Sequence, residues 1–196
     1  MIGDPQFFLH FFVSLYQKIS IEENVWKLCE HVKDHHSSQV GNCYCVFISN
    51  KHKTVSIPLW QQKASSREDT LVIWDYHVIF IFSPPDTETL VYDLDTMLTF
   101  PCDFKTYFLS GIRSNQSLQP QYHRFFRVIP AAVYLQTFAS DRSHMLNKKG
   151  EYLQPPPVYP CIKTNVTWHL TLTSISWSSD YNKVFLLRQF LCNYAW

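Results

Sequence analysis

The spacing of apolar residues near the start of the chain predicts an amphipathic helix over residues 22–35. In the segment EENVWKLCEHVKDH, Val25, Leu28, Cys29 and Val32 follow one another at i, i+3, i+4 and i+7, which is the period of one helix face. Acidic residues fill the predicted first turn and basic residues the last turn, as the helix dipole favours. We therefore expect this helix to cover a core with its apolar face.

The segment before this helix is less regular. Ser20 and Glu23 have the spacing of a capping box, which predicts Ser20 as the N-cap. The apolar run at residues 7–15 is too short to span a bilayer, and no basic residues precede it as they would in a signal peptide. We expect a buried or poorly packed leader here, with a signal peptide as the alternative.

Short apolar runs and alternating patterns predict a sheet in the rest of the chain. The predicted strands cover residues 43–49, 55–60, 71–82, 89–95 and 125–133. A helical turn is expected at 134–139 and an extended polyproline-like segment at 154–160, whereas the tail at 170–196 has weak periodicity. Helices combined with a mainly antiparallel sheet predict the α+β class. Because no repeat or linker interrupts the pattern, residues 1–196 are predicted to form a single domain.

The composition narrows the classes of function. The 196 residues are 46% hydrophobic and 17% charged, a balance typical of one globular domain with a core. The formal net charge is +1, without a block of like charges, so we expect no nucleic-acid or membrane partner. With four glycines and no glycine-rich phosphate loop, a nucleotide site of the common kinds is not expected.

Cysteines and histidines offer little support for a metal site. The six cysteines include no Cys-x-x-Cys pair, and a domain of this size does not need disulfides, so we expect reduced thiols in the cytosol. His31 and His35 have the i, i+4 spacing of some zinc sites, but Val32 stands where a metalloprotease has glutamate. We interpret these histidines as solvated residues near a helix end and expect neither a metal nor a cofactor.

A histidine and several acidic residues lie on strands that are predicted to be neighbours. Side chains alternate between the two faces of a strand. Asp75 and His77 are therefore predicted to share one face, and Asp93 and Asp95 to share a face of the next strand.

Pairing these strands as a hairpin brings His77 close to Asp93. If Phe82 lies opposite Glu88, His77 lies opposite Asp93, with Cβ atoms about 4.5–5.5 Å apart. A shift of two positions in the strand register would instead place Asp95 or Val91 opposite His77. A histidine held by an aspartate is the base half of a nucleophilic triad. A buried His–Asp pair whose hydrogen bond is purely structural is, however, the commoner case.

The string WDYHV at residues 74–78 resembles the signature of the N-terminal glutamine amidohydrolases. Further segments that resemble this family occur in order at residues 22–30, 46–50, 92–95, 100–102, 126–129, 138–145, 155–157 and 159–162. The resemblance covers roughly residues 22–162, and chance does not explain so many matched segments. The single predicted domain therefore has a divergent leader at 1–20 and a divergent tail at 165–196.

The resemblance implies hydrolysis of the side-chain amide of an N-terminal glutamine, which yields N-terminal glutamate and ammonia. The implied partners are peptides or proteins with N-terminal glutamine, and the new glutamate can be read by the N-degron machinery. The implied mechanism uses a cysteine, a histidine and an aspartate, and His77 and Asp93 match the family's catalytic histidine and aspartate. The implied fold is a three-layer α-β-α sandwich. We expect a monomer without a cofactor in the cytoplasm, with the nucleus as an alternative location.

The resemblance breaks at the nucleophile. The family's cysteine stands immediately before the Glu-Glu-Asn segment, and this chain has Ile21 there. Ser20 is the predicted N-cap and Cys29 lies on the apolar helix face, so both are poor substitutes. Cys45, next to the predicted core position Cys43, stays open as an alternative nucleophile. We therefore expect catalysis by this chain to be impaired.

Three hypotheses follow. The first is an amidohydrolase of this family whose activity is impaired, and the second is a non-catalytic protein that binds peptides with N-terminal glutamine. The third is another thiol acyl-transfer enzyme, of the transglutaminase or papain kind, which is disfavoured because the matched segments are specific to the family. The divergent ends fit an alternative transcript, an imperfect gene model or a pseudoenzyme.

Overall fold

The computed structural model describes residues 21–50, 56–65, 71–153, 155–164 and 183–186. The predicted leader at residues 1–20 lies outside this part of the chain, as does the predicted tail apart from residues 183–186.

The described residues form α-helices and eight strands, and six of the strands lie between the first helix and the second. The helices are α1 (Ile21–His35), α2 (Phe104–Tyr107), the π-helix Phe108–Ile112 that directly follows it, and α3 (Ala131–Thr137). The strands are β1 (Cys43–Asn50), β2 (Ile57–Leu59), β3 (Val72–Trp74), β4 (His77–Phe82), β5 (Leu90–Tyr92), β6 (Cys102–Asp103), β7 (Arg124–Pro130) and β8 (Lys183–Leu186). None of the helices in the described ranges is long and apolar enough to cross a membrane.

Six strands form one antiparallel sheet in the order β6-β5-β4-β1-β7-β8, and β2 and β3 form a separate antiparallel pair. The central strand β1 pairs with both β4 and β7, so that Ile48 lies between His77 and Phe126. This arrangement confirms the α+β class with a mainly antiparallel sheet. The edge strand β8 pairs with β7, so four residues of the predicted tail take part in the sheet.

Each face of the sheet packs against its own apolar core. On one face, Cys45 and Phe47 of β1 pack with Leu28 of α1 and Tyr134 of α3. The core of the opposite face includes Val46 and Ile48 of β1, Ile57 of β2, Tyr107 of α2 and Phe108 of the π-helix. A strand buried on both faces has a continuous apolar sequence instead of an alternating one, which explains the run CYCVFIS. The three-layer arrangement implied by the resemblance stays a prediction.

The predicted first helix is confirmed as α1. The helix buries Leu28, Cys29 and Val32 completely against the sheet, as the spacing of its apolar residues predicts. Burial of a side chain such as leucine contributes about 1.5–3 kcal/mol to folding. This apolar stripe therefore fixes which side of α1 faces the sheet.

Glu23, predicted to be part of a capping box, makes a different contact. Its two carboxylate oxygens accept hydrogen bonds from Arg142, from Nε at 2.9 Å and from Nη2 at 2.6 Å. Ser20, the other half of the predicted box, lies outside the described residues. The long-range partner outweighs the local pattern because a bidentate, charge-assisted pair binds more strongly than a single helix-cap hydrogen bond.

The prediction of one strand over residues 71–82 is wrong, because the chain divides there into β3 and β4. β3 pairs with β2, whereas β4 pairs with β1 in the large sheet. Between them Asp75 is exposed and accepts a hydrogen bond from Ser56 Oγ at 3.2 Å, while His77 is fully buried. The alternation does not continue across this break, so the shared face predicted for Asp75 and His77 is wrong.

The strand and helical turn predicted for 125–133 and 134–139 are both present, with an earlier boundary. β7 ends at Pro130 and α3 begins at Ala131. Proline lacks the N–H that a strand ladder requires, and its fixed φ suits the start of a helix. Residues 155–164 contain no helix or strand.

Candidate active site

His77 and Asp93 meet beyond the end of the β4–β5 pair, although the predicted register is wrong. Phe82 lies opposite Leu90 instead of Glu88, so the register differs by two positions. β5 ends one residue before Asp93, and the chain turns there so that the carboxylate reaches back to the imidazole. His77 Nε2 and Asp93 Oδ1 are 2.9 Å apart. The predicted pair is present, and a turn forms it instead of direct strand pairing.

Four donors surround the buried carboxylate of Asp93. Oδ1 contacts His77 Nε2 and accepts a hydrogen bond from the backbone N–H of Asp95 at 2.9 Å. Oδ2 accepts from Gln62 Nε2 at 3.0 Å and from the Tyr107 hydroxyl at 2.9 Å. Burial by itself would raise the pKa of Asp93, but His77 and these donors outweigh burial and lower it. The aspartate is therefore held ionised in a fixed orientation.

The imidazole of His77 is fully buried, and only one of its two ring nitrogens has a hydrogen-bond partner within the described residues. Burial disfavours its charged form, but Asp93, followed by Asp95 and Glu22, raises the pKa of His77 above its ordinary value. The Trp74 ring lies against the imidazole, with 5.1 Å between ring centroids. Within the described residues Nδ1 has no hydrogen-bond partner. This nitrogen can exchange a proton with a group that enters the site.

The first turn of α1 lies against the segment that carries His77. Glu22 accepts a hydrogen bond from the Tyr76 hydroxyl, and its backbone carbonyl accepts one from the Tyr134 hydroxyl at 3.1 Å. Ile21, the first residue of α1, is partly buried and packs against the core beneath the helix. Ile21, where the resemblance predicts the nucleophile position, thus lies at the helix start next to the segment that carries His77.

Gln62 and Tyr107 are site residues that sequence reasoning missed. Both are buried and both donate to Asp93, from 31 and 14 residues away along the chain. Gln61, which directly precedes Gln62, adopts a φ of 55°. The carbonyl oxygen of Gln61 accepts a hydrogen bond from the N–H of Met97 at 2.7 Å. A non-glycine residue with such a φ is uncommon and needs support from its surroundings. No local pattern marks either donor, because both roles arise from long-range contacts.

The thiols of the described residues are poorly suited to act as nucleophiles. Burial raises the pKa of four of them, Cys29, Cys43 (to about 12), Cys45 and Cys102. A raised pKa disfavours the thiolate, which is the reactive form. Cys45, the alternative that the sequence leaves open, is fully buried in the core beneath α1. Cys161 is partly buried, and Ser20 lies outside the described residues.

Ligand atoms of His77, Asp93 and Asp95 lie within 4.8 Å of one another, a grouping that could hold a metal ion. However, the oxygens of Asp93 already accept hydrogen bonds from four donors, which include the Gln62 side-chain amide and the Tyr107 hydroxyl. A cation there would displace donors that suit a carboxylate. The arrangement therefore favours a hydrogen-bonded His-Asp pair over a metal centre.

Of the two histidines on α1, His35 is exposed as predicted, whereas His31 is not. His31 is buried, with 8% of its surface exposed, so the expectation of a solvated side chain is wrong for this residue. Its ring stacks on that of His35 with 4.2 Å between centroids, and His35 Nδ1 lies 3.0 Å from the carbonyl oxygen of His31. Burial lowers the pKa of His31, and the neighbouring histidines add to this effect.

The sequence of this chain is similar to those of known proteins. The model of the N-terminal glutamine amidase family matches residues 16–191, a wider range than the resembling segments. A relative from Drosophila melanogaster, named protein N-terminal glutamine amidohydrolase, is 47% identical over 175 residues, which cover 88% of this chain and 84% of the relative. A relative of the same name from Drosophila mojavensis is 51% identical over 148 residues, which cover 76% and 71%. This chain belongs to the N-terminal glutamine amidase family.

Proposed function

We propose that this chain carries the site of an amidohydrolase that converts N-terminal glutamine of peptides and proteins to glutamate with release of ammonia. The relatives bear the name of this activity. The observation that carries the proposal is the buried His77–Asp93 pair, in which the second imidazole nitrogen has no partner in the described part of the chain. His77 and Asp93 are proposed as the catalytic residues of a thiol triad.

The chemistry requires a thiol at position 21. His77 accepts the thiol proton, and the sulfur attacks the carbon of the glutamine side-chain amide. His77 then returns the proton to the departing nitrogen, which leaves as ammonia as the C–N bond breaks, and a thioester remains. His77 next removes a proton from water, which attacks the thioester, and the thiol recovers its proton as glutamate is released. Asp93 holds His77 in one tautomer and stabilises its charged form.

Ile21 breaks this sequence at its first step. An isoleucine side chain has no atom that can form the thioester. In a serine protease, loss of the nucleophile costs about 10⁶-fold in turnover, or about 8 kcal/mol of activation free energy. A helix start favours a thiolate at this position, whereas the four buried thiols have raised pKa values. We therefore propose that catalysis by the unaltered chain is severely impaired.

The second candidate function is binding of peptides with N-terminal glutamine without turnover. Ile21 packs against the core beneath α1, and the hydrogen bonds around Asp93 do not depend on a thiol. The polar part of the site is thus intact beside an inert residue, which supports a pocket that holds its ligand.

The wider setting follows from the resemblance. The proposed protein is a monomer of one domain over residues 1–196, with a divergent leader at 1–20 and a divergent tail at 165–196. It acts in the cytoplasm, with the nucleus as an alternative location, and its glutamate product enters the N-degron pathway.

Restoring the nucleophile tests the proposed function. We expect the unaltered chain to release no measurable ammonia from a short peptide with N-terminal glutamine, and the Ile21→Cys variant to release it with turnover. His77→Ala in the Ile21→Cys chain is the control and should abolish the gain. Binding of the same peptide to the unaltered chain, measured by calorimetry, tests the second candidate.

Two results would contradict these proposals. Turnover by the unaltered chain that survives Cys45→Ala and Ser20→Ala would refute the assignment of the missing nucleophile. A folded Ile21→Cys variant that neither turns over nor binds the peptide would refute both candidate functions.

A further inference from the structure

Glu22 follows the proposed nucleophile position, and its carboxylate has no positively charged partner within the described part of the chain. One oxygen accepts a hydrogen bond from the Tyr76 hydroxyl, and the other has no hydrogen-bond partner among the residues that the structure describes. Over the same residues Glu22 makes no ion pair. Its side chain is half-buried, so water screens its charge only in part. A cation that entered the site would meet a carboxylate that is oriented and unneutralised.

Glu23, the next residue, shows that α1 distinguishes its two acidic side chains. Both oxygens of Glu23 are bound by Arg142, at 2.9 and 2.6 Å, so the charge of Glu23 is already neutralised by a cation. Glu22 instead points toward Tyr76, which directly precedes His77. Of the two neighbouring carboxylates, only that of Glu22 faces the segment that carries the acid–base residue.

The dimensions of the substrate fit this position. In an N-terminal glutamine, four bonds of about 1.5 Å separate the α-nitrogen from the amide carbon, which limits their separation to roughly 5 Å. Positions 21 and 22 are consecutive, with Cα atoms about 3.8 Å apart. A carboxylate at 22 can therefore contact the α-ammonium group while the amide carbon lies at the side chain of residue 21.

His77 is fully buried, and its Nδ1, which has no hydrogen-bond partner among the described residues, is a second sign of a ligand. A buried polar nitrogen without a partner is costly, and such atoms concentrate where a ligand completes the hydrogen bonds. Glu22 also acts on His77 through space, since its charge contributes to the raised pKa of the imidazole. The carboxylate and the free nitrogen thus belong to one site.

We propose that the Glu22 carboxylate binds the α-ammonium group of the N-terminal glutamine and thereby restricts the site to unblocked N-termini. This inference rests on the proposed function and adds a specificity-determining residue to it. Tyr76 positions the carboxylate, and the second oxygen receives the ammonium hydrogen.

The proposal is tested in the Ile21→Cys chain by a double-mutant cycle, in which Glu22 is changed in the enzyme and the α-amino group is removed from the peptide. One peptide begins with glutamine, and the other is identical except that hydrogen replaces the α-amino group. Hydrogen bonds between charged groups contribute about 1.5–3 kcal/mol, so we expect the free amine to improve kcat/KM roughly 10- to 100-fold, mainly through KM. After Glu22→Gln the two peptides should differ by less than about threefold.

Two further variants sharpen the result. Glu30→Gln, which removes a partly buried carboxylate paired with Lys27 on the same helix, should keep the full preference for the free amine. Glu22→Asp keeps the charge on a shorter side chain and should retain part of the preference. An effect of Glu22 on the pKa of His77 alone would shift the pH–rate profile equally for both peptides, so the cycle separates that effect from ammonium binding.

Each outcome decides the proposal. A full preference for the free amine in the Glu22→Gln variant overturns it, and loss of the preference in Asp95→Asn instead assigns the ammonium to that other carboxylate. If Ile21→Cys acts on neither peptide, the proposed function itself fails and this inference fails with it. If Ile21→Cys acts on both peptides equally well, only the inference is overturned.

Discussion

Asp93 is the residue at which the hydrogen bonds of the candidate site converge. Its two oxygens accept from four donors on four separate segments of the chain. A carboxylate is the one side chain that can satisfy four donors while also stabilising a charged imidazole. An asparagine of the same shape offers a single acceptor oxygen, so it would turn an N–H group toward groups that are themselves donors.

We expect Asp93→Asn to impair the Ile21→Cys enzyme strongly. The analogous change in a serine protease lowers kcat by about 10⁴-fold because the histidine loses its correct tautomer, and we expect a loss of about 10³- to 10⁴-fold here. The measurement is the rate of ammonia release at saturating peptide, with circular dichroism as the check on folding. A folded variant with an unchanged rate would show that another group, such as Asp95, orients His77.

The same pair makes stability depend on pH in a predictable direction. Folding raises the pKa of His77 above its ordinary value of 6.5 and lowers that of Asp93 below 3.8. The contribution of His77 is therefore complete below pH 6.5 and is lost as the pH rises through the folded-state pKa. The contribution of Asp93 is complete above pH 3.8 and is lost as the pH falls through its lowered value.

We expect the free energy of unfolding of the unaltered chain to exceed that of His77→Gln most clearly below pH 6.5, and this difference to shrink at higher pH. Urea denaturation from about pH 5 to 9 measures it. His31, whose lowered pKa acts in the opposite direction, is present in both proteins and cancels. A difference that stays constant over this range would mean that His77 carries no charge in the folded pair.

At the scale of elements, helix α1 is fixed to the rest of the molecule by two kinds of contact. Its apolar stripe packs on the sheet, and the buried pair of Glu23 with Arg142 joins its first turn to a distant loop. Arg142 also donates to the carbonyl of Tyr159 at 3.0 Å. This second attachment sets the position of the helix start, where Ile21 and Glu22 lie.

We expect Arg142→Leu to lower the free energy of unfolding by about 3–5 kcal/mol, because Glu23 would stay buried without a partner. Adding Glu23→Gln should restore part of the loss by removing that charge. Glu30→Gln, which breaks the partly exposed pair with Lys27, is the matched control and should cost less than about 1 kcal/mol. Urea denaturation measures all three variants, and a similar small cost for Arg142→Leu would show that the buried pair does not stabilise the fold.

At the scale of the whole molecule, the site lies where a helix start, a strand end and two loops meet around a sheet that is packed on both faces. The sequence predicted much of this. Three of these features are local properties of the sequence: the 3.6-residue period of α1, the continuous apolar run of β1 and the family motifs around His77. They can therefore be read from neighbouring residues without knowledge of the fold. The same motifs predicted His77 and Asp93 as catalytic residues and Ile21 as the residue at the nucleophile position, and these roles stay predictions.

Other features were decided only by the tertiary structure. Residues 71–82 favour one strand locally, but the first part, β3, pairs with β2 and the second part, β4, pairs with β1 in a different sheet. The register that the sequence predicted for His77 and Asp93 is wrong by two positions, and a turn after β5 still brings them together. Gln62 and Tyr107 acquire their roles from neighbours far away in the chain. A sequence pattern records the preference of each segment, whereas the pairing of segments depends on which contacts all of them can satisfy at once.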